Sequence, residues 1–184
     1  MSAGSGLLAS YAGEYGDDSG IEVGVAIGGE YNGPKRFTAP LPWFYENVMT
    51  SSLKSIFREN QEILSAKLDA KYCLESKSIC EFDERVYCKL SNKANLVEYW
   101  KDNDPMRNIR NITSPFLVIT SLDDPVCDKA NIPYSLFKEH DKFMLALFSK
   151  GGHCGFHERG TLEKWSDKLA IDYILSILKF KNLL

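Results

Sequence analysis

The sequence predicts an α/β fold, a mostly parallel sheet with flanking helices, and three observations carry that prediction. Short apolar runs rich in branched and aromatic residues stand at 21–27, 116–120 and 143–148, each of a length that suits a buried strand. Helical periodicity at 43–68 lies between the first two of them. The second and third runs lead directly into Asp123-Asp124-Pro125 and Lys150-Gly151-Gly152-His153, so chemically active side chains follow the carboxyl ends of strands, where open parallel sheets build their sites.

The elements follow in order. Residues 5–15 carry Leu7, Leu8, Tyr11, Ala12 and Tyr15 at three- and four-residue spacings, which predicts an amphipathic helix ending at Gly16. The run at 21–27 is the first strand. Pro34, Pro40 and Pro42 then interrupt the chain. From 43 to 68 the residues Trp43, Phe44, Val48, Met49, Leu53, Ile56, Phe57, Ile63, Leu64 and Leu68 recur at helical spacing. This predicts a helical insertion at about residues 34–111, serving either as an apolar lid over an acyl pocket or as a helical layer packed on the sheet. Ser114-Pro115 introduces the strand at 116–120, and the strand at 143–148 completes the set.

Ser2, Asp124 and His153 occur in the chain order serine, aspartate, histidine. A serine hydroxyl is a poor nucleophile until an imidazole takes its proton, and a buried carboxylate must hold that imidazole in the right tautomer. Met1-Ser2-Ala3-Gly4 matches the last four positions of G-x-S-x-G, in which small neighbours let the serine sit on a strained strand-to-helix turn. A serine so near a terminus is by itself unremarkable; the residues downstream give it meaning. Asp124, set before Pro125 and three residues after the small Ser121, is preferred to Asp123 as the acid, and Asp123 is expected to bond the backbone of its own turn. His153 and His157 stand four apart, a metal-ligand spacing on a helix, but Gly151, Gly152 and Gly155 argue against a helix there. His157 is expected to be a loop residue, and His140, among Lys138, Glu139 and Asp141, to lie at the surface.

Taken together, S-x-G with the following Leu7-Leu8, the segment Ser78-Ile79-Cys80-Glu81-Phe82-Asp83, the Asp123-Asp124-Pro125 turn and Gly151-Gly152-His153-Cys154-Gly155-Phe156 resemble the ABHD (YheT-like) branch of the alpha/beta hydrolases. The resemblance runs from the first residue to beyond His157. It implies the C-terminal part of an alpha/beta-hydrolase fold with a helical cap. It also implies a serine esterase or lipase acting on glycerolipid or phospholipid esters, with Ser2 as nucleophile, Asp124 as acid, His153 as base and the Ala3 amide as an oxyanion donor. No metal or organic cofactor is called for. The other class that stays open is a non-catalytic binding or interaction module on the same fold, which a fluorophosphonate probe would distinguish.

Composition narrows the partners. Lys and Arg total 22 against 25 for Asp and Glu, a net charge of -3, so there is no basic field to hold nucleic acid. Gly4-Ser5-Gly6 and Gly28-Gly29 lack the lysine and serine of a phosphate loop. Five cysteines at irregular spacings suit a reducing compartment better than a disulfide framework, and Asn111-Ile112-Thr113 matches the glycosylation pattern by chance. No apolar run approaches a membrane span. With the elbow at its first residues, the 184-residue chain is expected to be the C-terminal portion of a longer protein. The strands before the elbow, the second oxyanion donor and any N-terminal membrane anchor would then lie outside it. The isolated chain is accordingly expected to be inactive and poorly folded, with an open sheet edge, and the complete protein to be an esterase.

Overall fold

The computed structural model describes residues 1–31 and 41–184; Pro34 and Pro40, two of the expected chain breaks, lie outside the described residues. These residues fall into two compact units, Met1–Asn32 together with Pro105–Leu184, and Gly33–Asp104.

The first unit is built on a parallel three-stranded sheet in the order β1 (Gly24–Ile27), β2 (Phe116–Ser121), β3 (Phe143–Phe148). All six residues of β2 are buried, which is why its sequence reads as one apolar run rather than an alternation. Successive side chains still alternate in direction. Phe116 and Val118 join Ala9, Ala12, Ala26, Ile109, Ile112 and Leu136 in one cluster, while Leu117 and Ile119 meet Ile27 and Phe156 in another. β1 begins later than the expected residue 21. Gly16–Ser19 forms a 3-10 turn, Gly20 follows with φ 68°, and Ile21 packs against the first cluster instead of joining the ladder.

The expected first helix forms as α1 (Ala3–Tyr15), but its buried face is not the apolar stripe. Ser5, Gly6, Ala9, Ala12 and Gly13 are buried, whereas Leu7 is 73% exposed and Tyr11 and Tyr15 about half exposed. The reason is close approach. A Cβ on Gly13 would stand 2.5 Å from the Asn108 carbonyl oxygen, and one on Gly6 would stand 3.0 Å from the Pro105 ring. Only small residues let the helix lie that near its neighbours. Ser5 ties α1 to β1 directly: its buried hydroxyl donates to the Ile27 carbonyl and accepts from the Ile27 N–H, each at 3.0 Å.

A helix absent from the expectations, Trp165–Phe180, follows β3. Trp165, Leu169 and Tyr173, spaced four apart, pack on the cluster of Leu117, Ile119 and Phe156.

In the second unit the expected 43–68 helix is divided. α2 runs Trp43–Glu59 and stops at Asn60, whose side-chain amide bonds the Ile56 carbonyl at 2.9 Å. Short helical turns follow at Gln61–Leu64 and Ala70–Leu74. Phe57, Leu68, Cys73, Phe82 and Val86 form the core of this unit. The Ser78 to Asp83 segment turns out to be a helix start: the Ser78 hydroxyl accepts from the Glu81 N–H at 3.1 Å, and the Glu81 carboxylate accepts from the Lys77 N–H at 2.9 Å. No described helix is long and apolar enough to cross a membrane, and none of the five cysteines forms a disulfide.

Candidate active site

Ser2 lies immediately before α1 with φ 51° and ψ -130°, a conformation that a side chain adopts only under strain. Its N–H donates to the Ile27 carbonyl at 2.8 Å, so the turn is pinned to the carboxyl end of β1. Ile27 thus anchors both Ser2 and Ser5.

The three predicted side chains meet. The Ser2 hydroxyl lies 2.8 Å from His153 Nε2, and His153 Nδ1 lies 3.1 and 3.0 Å from the two Asp124 carboxylate oxygens. A carboxylate can only accept, so Nδ1 carries the ring proton and donates it. Nε2 is left with a lone pair facing the Ser2 hydroxyl, which donates to it. The Asp124 side chain is 1% exposed and that of His153 21%, so the acid is sealed while the ring keeps contact with solvent. Chemically, this array can carry a proton from a hydroxyl onto an imidazole whose resulting charge a buried carboxylate offsets. Ala3 is the first residue of α1, where a backbone N–H has no intrahelical acceptor and the helix presents its positive end.

The two aspartates divide the local work differently from the sequence reading. Asp124 Oδ1 accepts from the Val126 and Cys127 N–H groups at 2.8 and 3.0 Å, so the acid also organises its own turn. Asp123 reaches across instead, accepting from the N–H groups of Gly151 and Gly152 at 2.9 and 2.8 Å. The Gly152 amide, with smaller contributions from Ser121 and Gly151, holds the Asp123 carboxyl below the usual carboxylate range. Asp123 therefore positions the loop that carries His153. Ser121 helps, its hydroxyl donating to the Gly152 carbonyl at 3.0 Å.

His157 does not join His153. Its Nδ1 bonds the Leu162 carbonyl at 3.2 Å and its backbone bridges to Lys164, as suits a loop residue. His140 corrects its expectation: its side chain is only 11% exposed, stands edge-on to Phe143 with ring centres 5.0 Å apart, and has Nε2 3.2 Å from the Arg110 carbonyl. Charged neighbours in sequence hid a ring that packs under the end of β3.

Two positions were not legible as site residues. Gly28 follows β1 with φ 60°, and a Cβ there would stand 2.5 Å from Cys154 Sγ and 3.6 Å from His153 Cε1. A Gly-Gly pair directly after an apolar run was the available signal. Gly28→Ala should combine a backbone penalty of about 1–2 kcal/mol with an overpacking penalty of about 1–3 kcal/mol. Urea denaturation checks this, and an unchanged midpoint would contradict the crowding. Cys127 is the other, 7% exposed with its sulfur 4.0 Å from His153 Nδ1. Burial pushes the thiol of the neighbouring Cys154 up.

An apolar cavity of about 20 Å³ lies among Ala9, Ala26, Ile109, Phe116, Val118 and Leu136. It is room for about one water. Neither Ser2 nor His153 lines it, so it is a packing gap beneath α1 and not a place for an acyl chain.

A strained serine before a helix, with a histidine and an aspartate beyond successive parallel strands, is the architecture of an alpha/beta hydrolase. Solved structures share the fold: an acylaminoacyl peptidase in complex with a chloromethyl ketone and the Pyrococcus horikoshii acylaminoacyl peptidase each superpose with a TM-score of 0.50. Each covers 88% of this chain and 20% of its own, at 19% and 18% identity. No family model matches the chain. Its sequence relatives are ABHD proteins, as the resemblance implied. Human Protein ABHD15 is 32% identical over 181 residues, covering 97% of this chain and 39% of that protein. The Bos taurus Phospholipase ABHD3 is 27% identical over 162 residues (86% and 39%), and a Danio rerio Monoacylglycerol lipase ABHD2 is 26% identical over 151 (76% and 35%). The chain thus spans about two fifths of the length of the curated relatives it matches.

Proposed function

We propose that this chain carries the catalytic triad of a serine esterase that cleaves carboxylic esters of lipids, with Ser2 as nucleophile, His153 as general base and acid, and Asp124 as the orienting carboxylate. The observation that carries the proposal is the unbroken hydrogen-bonded path from the Ser2 hydroxyl through the His153 ring to Asp124, with contacts of 2.8 Å and 3.0 Å. His153 Nε2 takes the hydroxyl proton as Ser2 Oγ attacks the ester carbonyl. The Ala3 N–H then donates to the developing oxyanion. Collapse expels the alcohol, which takes the proton back from Nε2. Water repeats the sequence on the acylated serine and releases the acid.

The lipid substrate class is supported by relatives named phospholipase and monoacylglycerol lipase. The insertion between β1 and β2 in the sequence is assigned the role of an apolar cap, on its place in the chain and on exposed Trp43, Phe44 and Val48. Ala3 is assigned as an oxyanion donor, a role in which removal of a single donor costs about 10²–10³-fold in turnover.

A chromogenic butyrate ester tests the chemistry. The chain should release a burst of one equivalent of alcohol as Ser2 is acylated, then turn over slowly. Ser2→Ala and His153→Ala should abolish the burst. Hydrolysis that survives Ser2→Ala unchanged would refute the assignment.

A further inference from the structure

Cys127 has no part in the hydrolytic cycle, yet it stands against the histidine that drives it. Its thiol donates to the Gly28 carbonyl at 3.5 Å, and its sulfur is 4.0 Å from His153 Nδ1. One ligand atom each from Asp124, Cys127 and His153 lie within 4.8 Å of one another. We propose that these three side chains form a zinc site whose occupation switches the serine off. The switching-off rests on the hydrolase reading; the site does not.

The donor set selects the metal. A thiolate, an imidazole and a carboxylate suit zinc, whereas magnesium and calcium take oxygen donors. Tetrahedral zinc with bonds of about 2.3 Å to sulfur and about 2.0 Å to nitrogen and oxygen puts sulfur about 3.5 Å, and oxygen about 3.3 Å, from the ring nitrogen. The present separations are 4.0 Å for Cys127 Sγ and 3.0 Å for Asp124 Oδ2, and all three ligand atoms lie within 4.8 Å of one another, so side-chain rotation alone has to draw the sulfur inward to close the set. The frame is already built. Asp124 Oδ1 accepts from the Val126 and Cys127 N–H groups and fixes the turn that holds two of the ligands, leaving Oδ2 toward the ring. Asp123 fixes the loop that holds the third. One thiolate and one carboxylate neutralise the divalent charge, which limits the cost of placing it in a largely buried site. The 21% exposure of the His153 side chain supplies a way in, and three protein ligands leave a fourth position for solvent.

The proton balance explains the inhibition. Zinc takes the lone pair of Nδ1, so the ring proton moves from Nδ1 to Nε2, and the Cys127 thiol proton leaves to solvent. No electron is transferred and no carbon bond changes. Nε2–H then faces the Ser2 hydroxyl as a donor and cannot accept its proton. The same side chains that make the base also make its off state.

The test uses the full 184-residue chain. Titration with cobalt, a spectroscopic substitute for zinc, should give the near-ultraviolet thiolate-to-metal band, and zinc should displace it. Cys127→Ala, and the closer mimic Cys127→Ser, should lose the band and weaken zinc binding by more than the roughly 10–100-fold that loss of an outer-shell partner costs. One equivalent of zinc should erase the downfield proton resonance of His153 Nδ1–H in the wild type, and the same zinc should leave it in Cys127→Ala. Absence of the thiolate band, equal zinc affinity in wild type and variants, or a resonance that persists in the zinc-bound wild type would each overturn the site. Fluorophosphonate labelling of Ser2, in chelator and in zinc, reads the consequence separately. Labelling in chelator alone supports the switch, and equal labelling in both overturns it. No labelling in chelator defeats the hydrolase reading and the switch with it, while the cobalt band still decides the site.

Discussion

Asp124→Asn is expected to slow acylation of Ser2 by about 10⁴-fold. The cause is the tautomer. An asparagine can keep Oδ1 on the Val126 and Cys127 N–H groups, which the aspartate bonds at 2.8 and 3.0 Å, so the turn survives. Its amide nitrogen then takes the place of the oxygen 3.0 Å from His153 Nδ1, donor against donor, and the remaining oxygen at 3.1 Å is already shared with two backbone N–H groups. The ring relieves this by moving its proton to Nε2, where it faces the Ser2 hydroxyl and removes the base. Asp123→Asn differs in kind. One oxygen of Asp123 accepts from both Gly151 and Gly152, and the asparagine carbonyl can do the same. Its cost should be about tenfold at most, the equivalent of about 1.4 kcal/mol. Stopped-flow acylation rates for the two variants check the pair, and a larger loss at Asp123 than at Asp124 would reverse the roles assigned to them.

Phe156→Ala should be the most damaging of the core truncations near the site. The side chain is 2% exposed and packs with ring centres 5.0 Å from Trp165 and 6.3 Å from Phe148. It also covers Gly151, where a Cβ would stand 2.3 Å from the Phe156 ring. Truncating a buried phenylalanine costs about 3–5 kcal/mol, out of a total of about 5–15 kcal/mol for an ordinary domain. The loop of His153 is bounded by this residue: the Phe156 N–H donates to the Gly151 carbonyl at 3.1 Å, and its own carbonyl accepts from Trp165 at the same distance. Stability and acylation should therefore fall together. Phe156→Leu, which fills most of the space, should lose much less. The urea midpoint is the measurement, and a midpoint unmoved by the alanine would refute the packing described for this face.

The strands, Asp124 and His153 could be read from the sequence because each has a local signal, whereas Ser2 drew its meaning from the residues downstream. β2 is buried on both faces and so is apolar throughout, and Asp124 and His153 stand just past strand ends beside Pro125 and paired glycines. The buried face of α1 could not be read this way. Its contact surface is made of Gly6, Ala9, Ala12 and Gly13, chosen for closeness rather than hydrophobicity, while the conspicuous Leu7 and Tyr11 point outward. Periodicity scales weigh side chains that are large. They do not register a helix whose requirement is that side chains be small. The reach of Asp123 to Gly151 and Gly152 was equally hidden, since the partners are 28 and 29 residues away and only the parallel pairing of β2 with β3 brings them together. His140 was misplaced for a related reason: neighbours in sequence predicted its setting, and neighbours in space decided it. Gly28 and Cys127 became meaningful only once His153 had a position.

The most direct measurement is the mass of the chain after reaction with a fluorophosphonate, followed by peptide mapping of the adduct. A single adduct on Ser2, formed by the wild type and lost in His153→Ala, is the predicted result. No adduct on Ser2, or one that forms as fast without the imidazole, would contradict the proton path from hydroxyl to ring to carboxylate.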